Sequence, residues 1–240
     1  MEPRWLVRFA CAAILAATVS VVMPARQASA VVCPDVEVVF ARGTADVPPD
    51  FGAVGVSFIT ALRTQIPGRS IATYPVEYPA SADFADRLAF ARTVVNGIRN
   101  TQSHIESTAA NCPRTRIVLG GYSQGAVVAG FATMASLPAG IPSQFAQYQS
   151  SIPLPMPPEV APHVAAVVLF GKPSDRFMRD VGAPPIVIGP LYTPKATEYC
   201  VPGDTVCDGS PFPGRPNALH ALYSVNGMTL AAAGFAASRL

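Results

Sequence analysis

Gly121-Tyr122-Ser123-Gln124-Gly125 sets a serine between two glycines in the pattern G-x-S-x-G. The apolar run Ile117-Val118-Leu119 precedes it and a run of small residues follows it, so the serine lies between a predicted strand and a predicted helix. A turn that sharp strains the serine backbone, and the flanking positions must be small, which glycine satisfies. The turn lifts the hydroxyl out of the sheet. It also sets Ser123 at a helix N-terminus, where partial positive charge favours a developing anion. The amide of Gln124 points the same way. This chemistry is nucleophilic attack by a serine on a carbonyl carbon, with Gln124 as an oxyanion donor.

A serine hydroxyl is a poor nucleophile at neutral pH and needs a base. The chain has three histidines. In a strand–serine–helix architecture of this kind the chain order is serine, acid, histidine. His104 precedes Ser123 and fails that order. His163 follows it, but only Glu159 lies between, and His163 abuts a predicted buried strand. His220 comes late, with several acids upstream, and is the best base. Three acids compete to orient it: Asp175 after the fourth strand, Asp204 and Asp208. Orienting an imidazole demands a fixed carboxylate. Asp204 lies inside the loop that Cys200 and Cys207 would close, and that fixity favours it. Asp175 has the alternative role of a turn cap after Pro173-Ser174. A second oxyanion donor has to come from a loop after an earlier strand. Arg42-Gly43-Thr44 ends the first strand, and Thr44 offers an amide and a hydroxyl; an ordinary turn is the competing reading.

The elements that must carry these residues alternate. Strands are predicted at residues 36–40, 71–76, 116–121, 164–170 and 197–200 from short runs rich in β-branched residues. Helices are predicted at residues 52–66, from 81 to about 109 with Ser81 as N-cap, at 123–137 and at about 219–237. Continuous apolar strands between helices imply a parallel sheet covered on both faces, an α/β fold. Residues 138–162 hold seven prolines and read as an ordered surface excursion within the domain. As a flap, that stretch would flank a ligand groove.

The 240 residues are half apolar, with 25 Pro and 18 Gly, so a sizeable core is available and intrinsic disorder is excluded. Residues 1–30 read as a secretory signal peptide. Arg4 and Arg8 form the positive start, residues 9–22 carry no charge, and Ala28-Ser29-Ala30 is a small-x-small cleavage site. A run of 14 residues is short of the ~20 that span a bilayer, which argues against an anchor. No later stretch is long and apolar enough either. Cleavage after Ala30 would leave residues 31–240 with 14 basic and 14 acidic side chains, a formally neutral protein without the basic stripe a nucleic-acid binder carries. Four cysteines would remain: Cys33, Cys112, Cys200 and Cys207. An even count in an oxidising compartment suggests two disulfides out of three possible pairings. With no C-x-x-C pair and no nearby histidine, a zinc site is disfavoured.

The block Cys200-Val201-Pro202-Gly203-Asp204-Thr205-Val206-Cys207, the elbow at 121–125, His220 and Ala41-Arg42-Gly43-Thr44 together resemble the cutinase family. More narrowly, they resemble the cutinase-like proteins exported by mycobacteria and related actinobacteria. The likeness runs from about Cys33 to the C-terminus. It implies a small α/β-hydrolase fold with a central parallel sheet and helices on both faces. It implies Ser123 as nucleophile, Asp204 as acid, His220 as base, and Thr44 and Gln124 as oxyanion donors. It implies the pairs Cys33–Cys112 and Cys200–Cys207. The implied activity is hydrolysis of cutin-like polyester, lipid esters or short-to-medium acyl esters, with no metal or organic cofactor. A secreted monomer acting on an ester or lipid substrate is expected. Two departures stand out: the Pro-rich stretch at 138–162, and Thr44 where fungal members carry Ser.

Overall fold

The computed structural model describes residues 32–139, 141, 149–211 and 213–240. The signal-peptide reading of residues 1–30 lies outside them. Five parallel strands form one sheet in the order β2-β1-β3-β4-β5. They are β1 (Val36–Ala41), β2 (Ile71–Pro75), β3 (Arg116–Tyr122), β4 (Val164–Phe170) and β5 (Ala196–Tyr199). The helices are α1 (Gly52–Gln65), α2 (Arg87–Asn111), α3 (Gln124–Ala132), α4 (Asp175–Asp180) and α5 (Met228–Ala237). Residues Val32–Leu240 form a single compact unit.

β1, β3 and β4 are apolar on both sides because both sides are covered. Val36, Val38 and Phe40 of β1, with Val118, Val168 and Phe170, pack on Phe58 and Leu62 of α1 and Ala232 and Ala236 of α5. Val39 and Ala41, with Ile117, Leu119, Val167 and Leu169, pack on Ile98 and Ile105 of α2 and Val128 of α3. The result is the expected three-layer α/β architecture. β1 and β3 lie side by side at the centre, where the strand order reverses, so the crevice beyond their carboxyl ends is the natural place for a ligand. Among the described residues no helix is long and apolar enough to cross a membrane.

Several boundaries differ from the sequence reading. Helix α2 begins at Arg87, and its N-cap is Asp86, whose side chain accepts the Ala89 amide, rather than Ser81. The Ser81 hydroxyl accepts the Asp83 amide in the preceding loop, and Phe84 stands exposed there instead of joining the helix face. α3 stops at Ala132, five residues early. The final helix begins at Met228; His220 belongs to a separate 3-10 turn, Ala218–Ala221, divided from α5 by Gly227 in the left-handed region (φ 85°). The short helix α4 was not expected; Ser174 caps it by accepting the Phe177 amide. Within the Pro-rich stretch, residues 140 and 142–148 lie outside the described ones. The described end is more than a surface excursion: Pro158–His163 is a 3-10 helix, and Met156, Val160 and Ala161 join the core.

Candidate active site

Ser123 sits at the turn between β3 and α3 with φ 53° and ψ −118°, a positive φ that is costly for a residue with a Cβ. Its amide donates to the Phe170 carbonyl of β4 (2.9 Å), and its carbonyl accepts the amides of Ala126 and Val127, which starts α3. The flanking glycines are sterically required. A Cβ at Gly121 would lie 2.2 Å from the Gly125 carbonyl oxygen, and one at Gly125 would lie 1.9 Å from that of Ala41. Both obstacles are backbone and cannot move aside. The elbow therefore presses directly against the end of β1, and brings Ser123 beside the loop that follows it.

That loop holds Thr44. The Thr44 hydroxyl donates to Gln124 Oε1 (3.3 Å), and Gln124 Nε2 donates to Thr93 Oγ1 of α2 (3.4 Å). The Gln124 side chain is thus buried and employed in tying α2 to the loop, while its amide, first in α3, has no partner within the helix. Arg42 donates to the Tyr78 and Pro79 carbonyls (3.0 and 3.1 Å), Tyr78 donates back to the Arg42 carbonyl, and the Ala45 amide donates to Ala80 (2.9 Å). Asp46 Oδ1 accepts the Val47 amide (2.9 Å) on the far side. Thr44 lies in the middle of this bracing.

Asp204 is fully buried in the loop closed by the Cys200–Cys207 disulfide. Its Oδ1 accepts the Val206 amide (3.0 Å); its Oδ2 accepts His220 Nδ1 (2.8 Å) and the Tyr223 hydroxyl (2.6 Å). Burial pushes the Asp204 carboxyl up, but the bonds from His220, Tyr223 and Val206 outweigh it and hold the group below its ordinary value. It is an anion at neutral pH. A carboxylate on Nδ1 makes that nitrogen the donor and leaves Nε2 as the acceptor. His220 Nε2 lies 2.8 Å from Ser123 Oγ. The other acids stand apart: Asp208 is exposed and binds Ser210, and Asp175 is an exposed first-turn residue of α4. His104 stacks on Tyr74 (3.4 Å) and pairs with Glu37 (3.0 Å) near the amino end of β1. His163 precedes β4, at the opposite end of the sheet from Ser123.

Two tyrosines at the site escaped the sequence reading. Tyr122 donates to the His220 carbonyl (2.5 Å), and Tyr223 donates to Asp204. Burial drives both phenols far above their ordinary range, so both are protonated donors. Tyr122 lay in plain view inside the elbow motif. Tyr223 follows His220 by three residues, just past the 3-10 helix, and that closeness in sequence is the only local signal it carries. The second disulfide is Cys33–Cys112, so all four cysteines are paired as the resemblance implied.

The family model for cutinase matches residues 32–240. The chain belongs to the cutinase family. Among curated relatives of this cutinase-family protein is a probable carboxylesterase, Culp7 of Mycobacterium tuberculosis. It is 52% identical over 177 residues, which is 74% of this chain and 89% of the relative. The phospholipase Culp4 of the same organism is 40% identical over 237 residues, covering 99% of this chain and 92% of its own. Among solved structures, the Trichoderma reesei cutinase in complex with a phosphonate inhibitor aligns with a TM-score of 0.61 at 30% identity. The alignment covers 86% of this chain and 76% of that one. The fold is that of the cutinase-like α/β hydrolases, and the protein is a carboxylic ester hydrolase.

Proposed function

We propose that this cutinase-family protein is a secreted serine esterase acting through Ser123, His220 and Asp204 on short-to-medium acyl esters, lipid esters or cutin-like polyester. The observation that carries the reading is the unbroken relay from Asp204 Oδ2 through His220 to Ser123 Oγ, with 2.8 Å at each step. His220 Nε2 takes the hydroxyl proton as Ser123 attacks the ester carbonyl. Asp204 holds the ring and stabilises the imidazolium. The amides of Thr44 and Gln124 receive the oxyanion. His220 then protonates the departing alcohol, and a water activated by the same nitrogen releases the acyl group. Two disulfides suit the oxidising destination that residues 1–30, as a cleaved export signal, would give it.

Ser123→Ala is expected to lower turnover of p-nitrophenyl acyl esters by about 10⁴-fold or more. Activity within tenfold of wild type would overturn the assignment. A phosphonate is the matching covalent probe: an adduct at Ser123 is expected, and its absence favours a secreted binding protein that keeps the fold. The relative named as a phospholipase supports a second reading on the same three residues. An acyl-chain series, run with and without a phospholipid surface, separates the two.

A further inference from the structure

Two donors meet on one oxygen of Asp204. His220 Nδ1 reaches Oδ2 at 2.8 Å and the Tyr223 hydroxyl reaches it at 2.6 Å. Tyr223 is fully buried, and its oxygen also accepts the Val201 amide (3.1 Å), from the loop that carries Asp204. Its ring packs against Tyr122 (5.6 Å), Phe170 (6.4 Å) and, edge-on, His220 itself (6.1 Å). The hydroxyl is therefore locked in place, from both ends, between the acid and the loop that holds the acid.

Proton transfer from Ser123 does not require this phenol, so its position asks for another explanation. A buried carboxylate with a single partner concentrates its charge on that partner. Without the phenol, Oδ2 of Asp204 would face His220 alone, the Val206 amide remaining on Oδ1, and would pull harder on the ring proton. A second donor on the same oxygen withdraws part of that charge. We propose that Tyr223 is a positioning residue that orients Asp204 and, by sharing Oδ2, tempers the pull of the carboxylate on His220. The proposal rests on the reading of Ser123, His220 and Asp204 as the reacting set.

The ionisable groups facing Tyr223 are Asp204 from the loop after β5, His220 from its own turn and Tyr122 from the end of β3. Asp46 of the β1–α1 loop acts on Tyr122 at longer range. Cys207 Sγ lies 3.1 Å from the phenol oxygen, but it is held in a disulfide and does not titrate. Phe170 of β4 carries no ionisable group, and Tyr199 of β5 stacks on Phe170.

Tyr223→Phe keeps the ring and removes the donor. With p-nitrophenyl butyrate as substrate, the acidic midpoint of the kcat/KM–pH profile is expected to move up by about one pH unit, a tenfold rise in the proton affinity of the base. Plateau kcat is expected to fall several-fold, with KM changed by less than about twofold. Placing 3-fluorotyrosine at position 223 keeps both ring and hydroxyl but makes the phenol a stronger donor, so the midpoint should move down. Opposite shifts in the two variants support the proposal. A midpoint that stays put, or that falls in Tyr223→Phe, overturns it, and a lowered Tm alone would mark Tyr223 as packing. If Tyr223→Phe does not fold, the fluorinated protein decides by itself. Ser123→Ala assayed alongside keeps the two claims separate. An inactive Ser123→Ala with an unmoved midpoint removes only the role of Tyr223, whereas an active Ser123→Ala removes the reading beneath it.

Discussion

Ala45 and Ala80, on separate loops, both hold positive φ (48° and 47°), and the amide of the first donates to the carbonyl of the second at 2.9 Å. Each left-handed alanine costs about 1–2 kcal/mol, so neither conformation persists without support. The support is the reciprocal grip next to it: Arg42 on the Tyr78 and Pro79 carbonyls, and Tyr78 on the Arg42 carbonyl. Thr44 stands between Arg42 and Ala45. On the proposed reading of Thr44 as an oxyanion donor, the strain is spent on aiming the backbone beside Ser123 before substrate arrives, as preorganised oxyanion binding requires.

Tyr78→Phe tests that link. It removes the phenol's donor and leaves the Arg42 carbonyl short of a partner, at a cost of about 1–3 kcal/mol. The Thr44 amide then loses its fixed aim. We expect kcat to fall roughly tenfold with KM within about twofold, because the lost interaction belongs to the transition state. Steady-state kinetics on a p-nitrophenyl ester, with Tm measured in parallel, check it. A loss of Tm with unchanged kcat would show that the grip serves stability alone.

The parts of this site that were legible in the sequence are those imposed by local sterics. Gly121 and Gly125 announce the elbow because backbone oxygens occupy the space where their side chains would go. β1, β3 and β4 were visible because burial on both faces leaves a continuous apolar run, whereas the part-buried edge strands β2 and β5 rested on shorter runs. Helix starts were less legible. Ser81 and Asp86 are both good caps, and local composition does not say which of them closes the loop and which opens α2. The α5 boundary was missed because Ala-rich sequence on either side of Asn226-Gly227 reads as one helix, while the left-handed Gly227 divides it. The roles of Tyr122 and Tyr223 were out of reach for another reason. Tyr122 meets a carbonyl 98 residues away, and no spacing rule encodes such a contact.

Glu37 is a charged residue inside a buried strand, 8% exposed, and it faces α2. Burial alone would raise its carboxyl, but the bonds from His104 (3.0 Å) and Thr108 (2.7 Å) outweigh that and lower it. A depressed folded value means the stabilisation is present above the unfolded value of about 4.3 and is lost as pH falls through the folded one. Glu37→Gln should therefore destabilise the protein by about 1–3 kcal/mol at pH 7 and flatten the decline of stability below about pH 5. Urea titrations between pH 3 and 7 read both effects. Activity at pH 7 should survive. Glu37 pairs in register with Ile117, six residues before Ser123, which places it about 20 Å from the hydroxyl. A steeper acid decline in the variant than in wild type would contradict the assignment.

The two disulfides should dissociate stability from activity. Cys33–Cys112 spans 79 residues and ties the start of β1 to the end of α2, far from Ser123. By loop-closure entropy it is worth about 4.5 kcal/mol. Cys200–Cys207 spans only 7 residues, and the same reasoning gives about 2.5 kcal/mol. Stability alone would rank the first bond as the more important. The second, however, encloses Asp204, whose backbone closes that loop through bonds to Val201, Cys207 and Asp208. Opening it frees the carboxylate that orients His220, and a misplaced acid costs rate even when the fold survives. We expect Cys33→Ser/Cys112→Ser to lower Tm more, with kcat at 25 °C within about twofold of wild type. Cys200→Ser/Cys207→Ser should lower Tm less but reduce kcat by roughly tenfold or more. Thermal melts and ester kinetics on the two double variants decide it. If both lose activity only in proportion to the unfolded fraction, the short cystine contributes stability and nothing to the aim of Asp204.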